Sequence, residues 1–362
     1  MDTSQQQQNI KTNLLHENKK KWGLLVVNIL ALFLGSISSS LLSRFYFIHG
    51  GSSKWVSTWV QSTGFPLLLI PICVPHVFNL KTGKTHKPFS VFTPKLCFVS
   101  VSIGLMMGFN NFLFSWGISY LSVSTTSLLL SSQLAFNLIF SAVLVKQRIS
   151  FSNLNSVLLL TLSSVLLGLG SDHDRPIGVI QAHYFMGFFS ILGAGLLFAL
   201  YLPLVEMVYK SVDSYQMVME MQVVMQMAAV TLAVVGMRFD GGYSEMRSEG
   251  KAGFDLGLTG YWLTIGFAVF SWQLCFMGTA GLVFLTKSLT GGMCTTALLP
   301  MNILGGVLFY GDDFGVLKMV STLLCLWGLC SYLYGEHNMK KENICSDDDQ
   351  NEESVGIVCN DV

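Results

Sequence analysis

Charged residues are scarce in this chain of 362 residues: Asp, Glu, Lys and Arg together make up only 12% of it. Soluble domains carry about 25% charged residues, which they need to cover their surface with polar groups. Hydrophobic residues instead make up 51% of the chain, and the mean hydropathy is +0.55. The shortage of charge therefore excludes an ordinary soluble domain and indicates a membrane protein.

The chain also lacks the patterns of catalysis, of metal binding and of nucleotide binding. No glycine-rich run ends in Lys followed by Ser or Thr, so there is no phosphate loop. The His and Cys residues show no metal-like spacing, no nucleophile and base pair stands out, and no disulfide framework is suggested. We therefore expect no enzyme activity, no metal or cofactor, and no nucleic acid polymer as partner.

Long apolar runs are abundant. Ten windows of about 20 apolar residues, each long enough to cross a hydrocarbon core of roughly 30 Å as a helix, can be drawn along the chain. We number them as spans one to ten: 24–43, 57–79, 96–118, 122–145, 154–170, 184–208, 215–237, 260–284, 293–310 and 316–335. The sequence thus predicts an all-α polytopic membrane protein with ten transmembrane helices.

The distribution of basic residues predicts the orientation. If the N-terminus is cytosolic, 14 of the 21 Lys and Arg residues fall in the cytosolic tails and loops. This excess is what the positive-inside rule requires. Both termini are therefore expected in the cytosol, as a tail of residues 1–21 and an acidic tail of residues 338–362.

A weak internal repeat relates the two halves of the chain. A shift of 165 residues aligns "NLIFSAVLVKQR" (137–148) with "NILGGVLFYGDD" (302–313), at the ends of spans four and nine. Because five crossings separate these spans, the second half is inverted relative to the first. Residues 22–170 and 171–337 are therefore predicted to form a five-plus-five inverted repeat, a transporter architecture that binds substrate near the bilayer midplane. Prolines are expected to interrupt spans two, six and nine: Pro66, Pro71, Pro75, Pro203 and Pro300.

Span four carries a polar stripe in "SSQLAFNLIFS". Gln133 and Asn137 lie one helical turn apart and share a face with Thr126 and Ser141. Two interpretations remain open, because such amides either join neighbouring helices or contact a substrate. An amide suits the edge of a heteroaromatic ring, whereas a carboxylate or phosphate substrate requires Lys or Arg at mid-membrane, and the spans have none there.

Two aromatic residues and a serine stripe accompany these amides. Trp116 in span three and Trp272 in span eight lie well inside their spans, where a tryptophan either packs or stacks on a ligand. In span one, "SISSSLLS" places its serines on one face, which we interpret first as helix packing and second as part of a cavity wall.

Two acids lie within apolar spans. Glu220 in span seven has no basic neighbour at helical spacing, whereas Glu206 in span six lies four residues before Lys210, the spacing of an ion pair at a helix end. An unpaired carboxyl buried in a membrane is a natural site for taking up and releasing a proton. Glu220 is the first candidate for a proton-coupling site and Glu206 is the second.

Several ordered blocks closely resemble the plant purine permease family of the drug/metabolite transporter superfamily. They include "GFNNFLFSWGISYLSVSTTSLLLSSQLAFN", "YLPLVEMVYK", "MEMQVVM", "SWQLCFMG" and "LWGLCSYLYGE", and the resemblance runs from about residue 22 to 337. It implies that the candidate cavity residues are Asn111, Gln133, Asn137, Glu206, Glu220, Trp272 and Gln273. The chain departs from the family at "GFNN", where Asn110 stands in place of a common aspartate.

The resemblance implies a multi-pass plasma-membrane carrier that is driven by protons. With the residue chemistry, it predicts a proton-coupled importer of planar nitrogen heterocycles, such as adenine, other purines and cytokinins, working by alternating access. Gln133 and Asn137 are expected to bind the ring edge, and Trp116 or Trp272 to stack on the ring. Two alternatives remain: a carrier of plant alkaloids, for which a glutamate would supply a counter-charge, and a membrane receptor that binds such ligands without moving them.

Overall fold

The computed structural model describes residues 2–79, 89, 92–146, 151–169, 180–212, 214–312, 314–331 and 334–335. Nearly all of these residues are helical, and this part of the chain contains no strand. The prediction of an all-α protein is therefore confirmed. The predicted C-terminal tail, 338–362, lies outside the described residues.

The helices follow one another with short connections. In the first half they are α1 (Asp2–Ile48), α2 (Lys54–Ser62), α3 (Pro66–Asn79), α4 (Pro94–Tyr120), α5 (Val123–Leu130), α6 (Ser132–Leu144) and α7 (Phe151–Leu169). In the second half they are α8 (Gln181–Tyr209), α9 (Tyr215–Phe239), α10 (Gly242–Ser248), α11 (Gly257–Leu285), α12 (Ser288–Ala297), α13 (Leu299–Tyr310) and α14 (Val316–Ser331). A π-helical turn, Glu249–Gly253, follows α10.

Among the described residues, eight helical segments are long and apolar enough to cross a membrane. They are Lys21–Ile48, Lys54–Cys73, Pro94–Tyr120, Val123–Leu144, Gln181–Tyr209, Tyr215–Phe239, Gly257–Leu285 and Ser288–Tyr310. Eight of the ten predicted spans are therefore confirmed. At the positions of spans five and ten the structure has shorter apolar helices, Leu154–Ser163 and Val316–Ser331.

The prolines have unequal effects on the helices. Span two is interrupted before Pro66, since α2 ends at Ser62 and Pro66 begins α3. Pro71 and Pro75, in contrast, lie inside the continuous helix α3, and Pro203 lies inside the continuous helix α8. The predicted interruptions at these three prolines are therefore wrong. A proline removes one backbone hydrogen bond, and a membrane helix held by its neighbours accommodates that loss without ending.

Glycines bring two antiparallel helix pairs into close contact. In the pair α1 and α11, a Cβ atom added to Gly278 would lie 2.5 Å from the backbone nitrogen of Leu32. In the pair α4 and α8, a Cβ added to Gly187 would lie 3.2 Å from the side chains of Leu121 and Tyr120. Small residues let membrane helices approach closely, and these two pairs form the frame of the bundle.

One buried carboxylate closes an end of the bundle. Glu249 is 3% exposed, and its Oε1 accepts hydrogen bonds from the backbone nitrogens of Ser52 at 2.7 Å and Ser53 at 3.0 Å. Its Oε2 accepts from the hydroxyls of Tyr46 at 2.7 Å and Tyr261 at 3.2 Å. Glu249 thereby joins the loop after α1 to α1 and α11, a role that sequence analysis did not assign to it.

The two ends of α9 give the bundle two opposite faces. Lys210 comes before the first residue of α9, and Glu249 comes after its last residue. We call these ends the Lys210 face and the Glu249 face.

Candidate binding cavity

Two helices of the bundle are interrupted at corresponding places, in predicted spans four and nine. Ser131 separates α5 from α6, and its hydroxyl donates to the carbonyl oxygen of Leu128 at 2.6 Å. Leu298 separates α12 from α13, where Pro300 lies in the first turn and has no N–H to continue the helix. The predicted interruption at Pro300 is thus confirmed. Paired interruptions of this kind indicate where a transporter binds its substrate.

A partly open cavity lies next to the two interruptions, and its empty volume, open solvent included, is about 660 Å³. Nine helices contribute to its wall, which consists of Ser36, Ser39, Ser40, Gln61, Asn110, Asn111, Phe114, Leu130, Gln133, Ala194, Phe198, Trp272, Cys275, Phe276, Thr295, Leu299 and Asn302.

A hydrogen-bond network positions the amides on one side of the cavity. The Nε2 atom of Gln61 donates to the hydroxyl of Ser115 at 2.7 Å and to the carbonyl oxygen of Asn111 at 3.1 Å. Asn111 donates through Nδ2 to Ser62 at 2.9 Å, and its Oδ1 accepts from Asn110 at 3.3 Å. The network holds α2 against α4 and fixes the direction of each amide.

Three amide oxygens of the wall are buried without a hydrogen-bond partner among the described residues. They are Oε1 of Gln61, Oδ1 of Asn110 and Oδ1 of Asn302. Each costs about 1 to 3 kcal/mol of stability as long as nothing donates to it. A ligand with several N–H donors would satisfy them, and these oxygens are therefore the strongest sign of a binding site.

Aromatic rings form another side of the cavity. Trp272 stacks on Phe276 with centroids 5.6 Å apart and planes inclined by 27°, and it meets Phe114 edge to face at 5.4 Å. The indole Nε1 of Trp272 donates to Ser43 at 3.2 Å, which fixes the ring. The cavity therefore offers a rigid aromatic surface close to the free amide oxygens.

The cavity wall carries no formal charge: its described residues include no Asp, Glu, Lys, Arg or His. A charged ligand in such a site loses its hydration without gaining a counter-charge. The chemistry of the wall therefore favours a neutral, planar ligand.

Three of the substrate-binding residues named from the sequence lie together on this wall: Asn111, Gln133 and Trp272. Gln133 is 6% exposed, and its Nε2 donates to the hydroxyl of Thr295 at 3.3 Å, which joins α6 to α12 next to both interruptions. Gln133 thus joins two helices, as one interpretation has it, and because it also lines the cavity, contact with a substrate stays a prediction.

The other three residues named for substrate binding lie away from the cavity wall. Asn137 is fully buried against Gly292 of α12 and accepts a hydrogen bond from Ser141 at 3.4 Å. Trp116 meets Phe112 edge to face, with the ammonium of Lys54 5.2 Å from its centroid.

Gln273 is also buried away from the wall. It lies against Gly64, in the interruption between α2 and α3, and neither amide atom has a partner among the described residues. Polar residues within the spans are therefore found both on the cavity wall and away from it, and polarity alone does not distinguish the two groups.

The two glutamates named for proton coupling also lie outside the cavity wall. Glu206 accepts hydrogen bonds from the backbone nitrogen of Ser288 at 2.8 Å and from its hydroxyl, so it caps the first turn of α12. Its other oxygen lies 3.7 Å from Nζ of Lys210, as the spacing predicted. Glu220 is 4% exposed and accepts from Gln216 at 3.0 Å, with no ion pair among the described residues.

Sequence analysis missed several wall residues. Helix packing is the first interpretation of the serine stripe, but Ser36, Ser39 and Ser40 line the cavity, as the second interpretation has it. Small hydroxyls on one helix face fit close packing and a polar wall equally well. Asn302 did have a signal, since the 165-residue shift aligns it with Asn137, but its exposure to the cavity depends on the interruption at Leu298.

The amino-acid sequence is similar to a family of known transporters. A family described as purine nucleobase transmembrane transport matches residues 23–342. Probable purine permease 4 of Arabidopsis thaliana is 58% identical over 298 residues, which cover 82% of this chain and 78% of that protein. The chain belongs to the purine permease family. Two further permeases of the same plant agree: purine permease 3 is 35% identical (86% and 90% covered) and purine permease 2 is 33% identical (91% and 96% covered).

Membership of the purine permease family makes this chain a multi-pass membrane protein from a family of transporters. The first asparagine of "GFNN", Asn110, lies on the cavity wall. Asn110 leaves its Oδ1 free there, where an aspartate would add a negative charge. In this purine permease an asparagine at this position keeps the wall neutral.

Proposed function

We propose that this protein imports neutral, planar nitrogen heterocycles, above all purine nucleobases and cytokinins, across the plasma membrane. The observation that supports this proposal most strongly is the uncharged cavity next to the two interrupted helices. Its wall combines three unpartnered amide oxygens with an aromatic surface. The family description, purine nucleobase transport, supports the same substrate class.

The wall groups suggest how such a ring is held. Ring or exocyclic N–H groups donate to the free oxygens of Gln61, Asn110 and Asn302. The ring face packs on Trp272, and Gln133 reaches the opposite edge from α6. Neutral hydrogen bonds and stacking together discriminate against ligands that lack the N–H pattern, because those would leave the amides unpaired.

Alternating access between two inverted five-helix repeats, residues 22–170 and 171–337, is the transport mechanism we propose. The helix pairs support it: α1 with α11 joins spans one and eight, and α4 with α8 joins spans three and six. The inverted repeat relates each span to the span five positions away. Spans one and eight then correspond to spans six and three, so one helix pair is the counterpart of the other. The interruptions at Ser131 and Leu298 obey the same relation.

Proton coupling is assigned to Glu220 first and to Glu206 second. Glu220 is buried, and its hydrogen-bond partner is a neutral amide. Among the described residues no cation pairs with its carboxylate, so binding of a proton would remove an unbalanced charge. Glu206 is already engaged with Ser288 and Lys210. The excess of basic residues on one side supports cytosolic termini.

The two alternatives make different demands on the site. An alkaloid carrier would bind larger, cationic ligands, and the described wall offers them no counter-charge. A receptor would bind purines without exchanging them across the membrane, and it would have no use for the paired interruptions. Counterflow of labelled adenine in liposomes separates a carrier from a receptor.

Replacing Asn302 by leucine is expected to weaken adenine transport through affinity. The substitution removes one acceptor at nearly constant volume, so KM for adenine should rise about tenfold. The KM is measured from the uptake of labelled adenine by proteoliposomes. Asn155→Leu is the control, because Asn155 donates a hydrogen bond to Ser331 outside the cavity. An unchanged KM in Asn302→Leu would remove this residue from the site.

Replacing Glu220 by glutamine is expected to abolish the stimulation of uptake by external acid. Glutamine keeps the shape and the hydrogen-bonding capacity of the side chain but cannot take up a proton. Adenine uptake is measured at external pH 5 and pH 7, with adenine exchange at equal pH as the control for folding. Wild-type acid stimulation in the variant would transfer the coupling role to another group.

A further inference from the structure

A second group of buried polar atoms lies outside the cavity wall, in the half of the bundle toward the Lys210 face. On α9, Gln222 and Gln226 are fully buried, and in the described part of the chain Oε1 of Gln222 and both amide atoms of Gln226 have no partner. On α4, the hydroxyl of Ser100 is likewise fully buried and unpartnered. Each of these atoms lowers the stability of the present conformation.

These polar groups share one level of the bundle. Helices α4 and α9 run parallel, since Gly104 lies against Met225 and Gly108 against Ala229. One turn before Gly104, Ser100 therefore reaches the level of Met221 and its neighbour Gln222. We call Ser100, Gln222 and Gln226 the cluster, because they lie within about one helical turn of one level of two packed helices.

Hydroxyl and aromatic contacts connect the cluster to the cavity. Phe198 belongs to the cavity wall, and Tyr201 stacks on it with centroids 5.9 Å apart. Nε2 of Gln222 donates to the hydroxyl of Tyr201 at 2.9 Å and to that of Tyr209 at 3.1 Å. Tyr209 is the last residue of α8. These contacts link Gln222 to the cavity wall through Tyr201 and Phe198, and to the Lys210 face through Tyr209.

The part of α9 that carries the amides is rich in methionine. Met219, Met221 and Met225 are all buried within the same two turns of α9. Methionine is unbranched and fills irregular spaces with little rotamer cost, so a methionine-rich contact repacks readily when helices move apart. We call Met219, Met221 and Met225 the methionine plug. When the helices move apart, these side chains can change rotamer and fill the space that opens.

We propose that Gln226 and Gln222 form a second, transient binding site on the path by which the substrate leaves the cavity toward the Lys210 face. This inference rests on the proposed transport of neutral heterocycles. When the methionine plug opens, the free amide groups meet the N–H and ring nitrogen edge of the substrate that leaves the first site. The amide groups lack hydrogen-bond partners in this conformation, and the passing substrate supplies those partners.

The decisive variant is Gln226→Met, which replaces the unpartnered amide by an apolar side chain of similar length. Its melting temperature in detergent should equal or exceed that of the wild type, and equilibrium binding of labelled adenine to the purified protein should not change. The maximal rate of adenine uptake into proteoliposomes should fall about fivefold, the loss expected for one hydrogen bond made only during passage. Gln226→Asn, which keeps an amide, should recover part of the rate.

Met227→Leu is the matched control, because Met227 is adjacent but 49% exposed on the outer surface of α9. A Gln226→Met protein that transports at the wild-type rate overturns the proposal, and so does one that loses rate together with stability and binding. If Gln226→Met does not fold, Gln226→Leu and Gln226→Asn are compared in the same way. Wild-type protein that neither binds nor carries adenine refutes the proposed function instead.

Discussion

Replacement of Glu249 by leucine is expected to destabilise the protein more than any other single substitution discussed here. The change leaves the backbone nitrogens of Ser52 and Ser53 and the hydroxyls of Tyr46 and Tyr261 without their common acceptor. The free energy of unfolding should fall by about 4 kcal/mol or more, which lowers the melting temperature by about 10 °C. Thermal unfolding in detergent, followed by size-exclusion chromatography, measures it.

Two further variants make the Glu249 result specific. Glu249→Gln keeps an acceptor oxygen but loses the charge, so its melting temperature should fall between those of the leucine variant and the wild type. Glu245→Leu changes a more exposed acid in the neighbouring helix α10 and should cost little. A Glu249→Leu protein as stable as the Glu245→Leu protein would show that the loop after α1 is held by other contacts.

Replacement of Ser40 by phenylalanine is expected to abolish adenine uptake while the protein remains folded. Ser40 lies on α1 with its side chain on the cavity wall, and a phenyl ring there occupies space that the substrate needs. The rate of adenine uptake should fall by roughly tenfold or more, because a blocked site loses both stacking and amide contacts. Uptake into proteoliposomes and adenine binding to purified protein are both measured.

Ser38→Phe provides the matched control for this variant. Ser38 lies two residues earlier on α1 and is absent from the cavity wall, so the same side chain is added to another face of the same helix. Uptake by Ser38→Phe should stay within about twofold of the wild type, the range of surface substitutions. Equal loss of uptake in both variants would mean that α1 tolerates no large side chain, and the cavity would then not be the cause.

Composition and hydropathy predicted the helical membrane fold and eight of its spans, because crossing a bilayer imposes a helix of known length. The family resemblance added Asn111 and Gln273, of which Asn111 lines the cavity, and residue chemistry pointed to Gln133 and Trp272. Three of the six predicted substrate-binding residues line the cavity. These are the features for which the sequence pattern and the structural requirement coincide.

The remaining residues depend on packing that no pattern shows. Asn137 and Gln133 share a helix face, but Gly292 approaches Asn137 and buries it, while Gln133 lies next to the interruption and faces the cavity. Glu249 was missed because its partners, Ser52 and Tyr46, lie about 200 residues earlier in the chain. Long-range contacts decide the role of each polar residue, and a single sequence does not display them.

Photolabelling with an azido derivative of adenine, followed by mass spectrometry of the modified peptides, tests most directly whether the cavity is the purine site. The label should attach to wall residues near the two interruptions, such as Trp272, Phe198 or Thr295. Unlabelled adenine should suppress this labelling, and Ser40→Phe should prevent it. Labelling that adenine suppresses at residues outside the cavity wall, and that persists in Ser40→Phe, would contradict the assignment of this cavity as the substrate site.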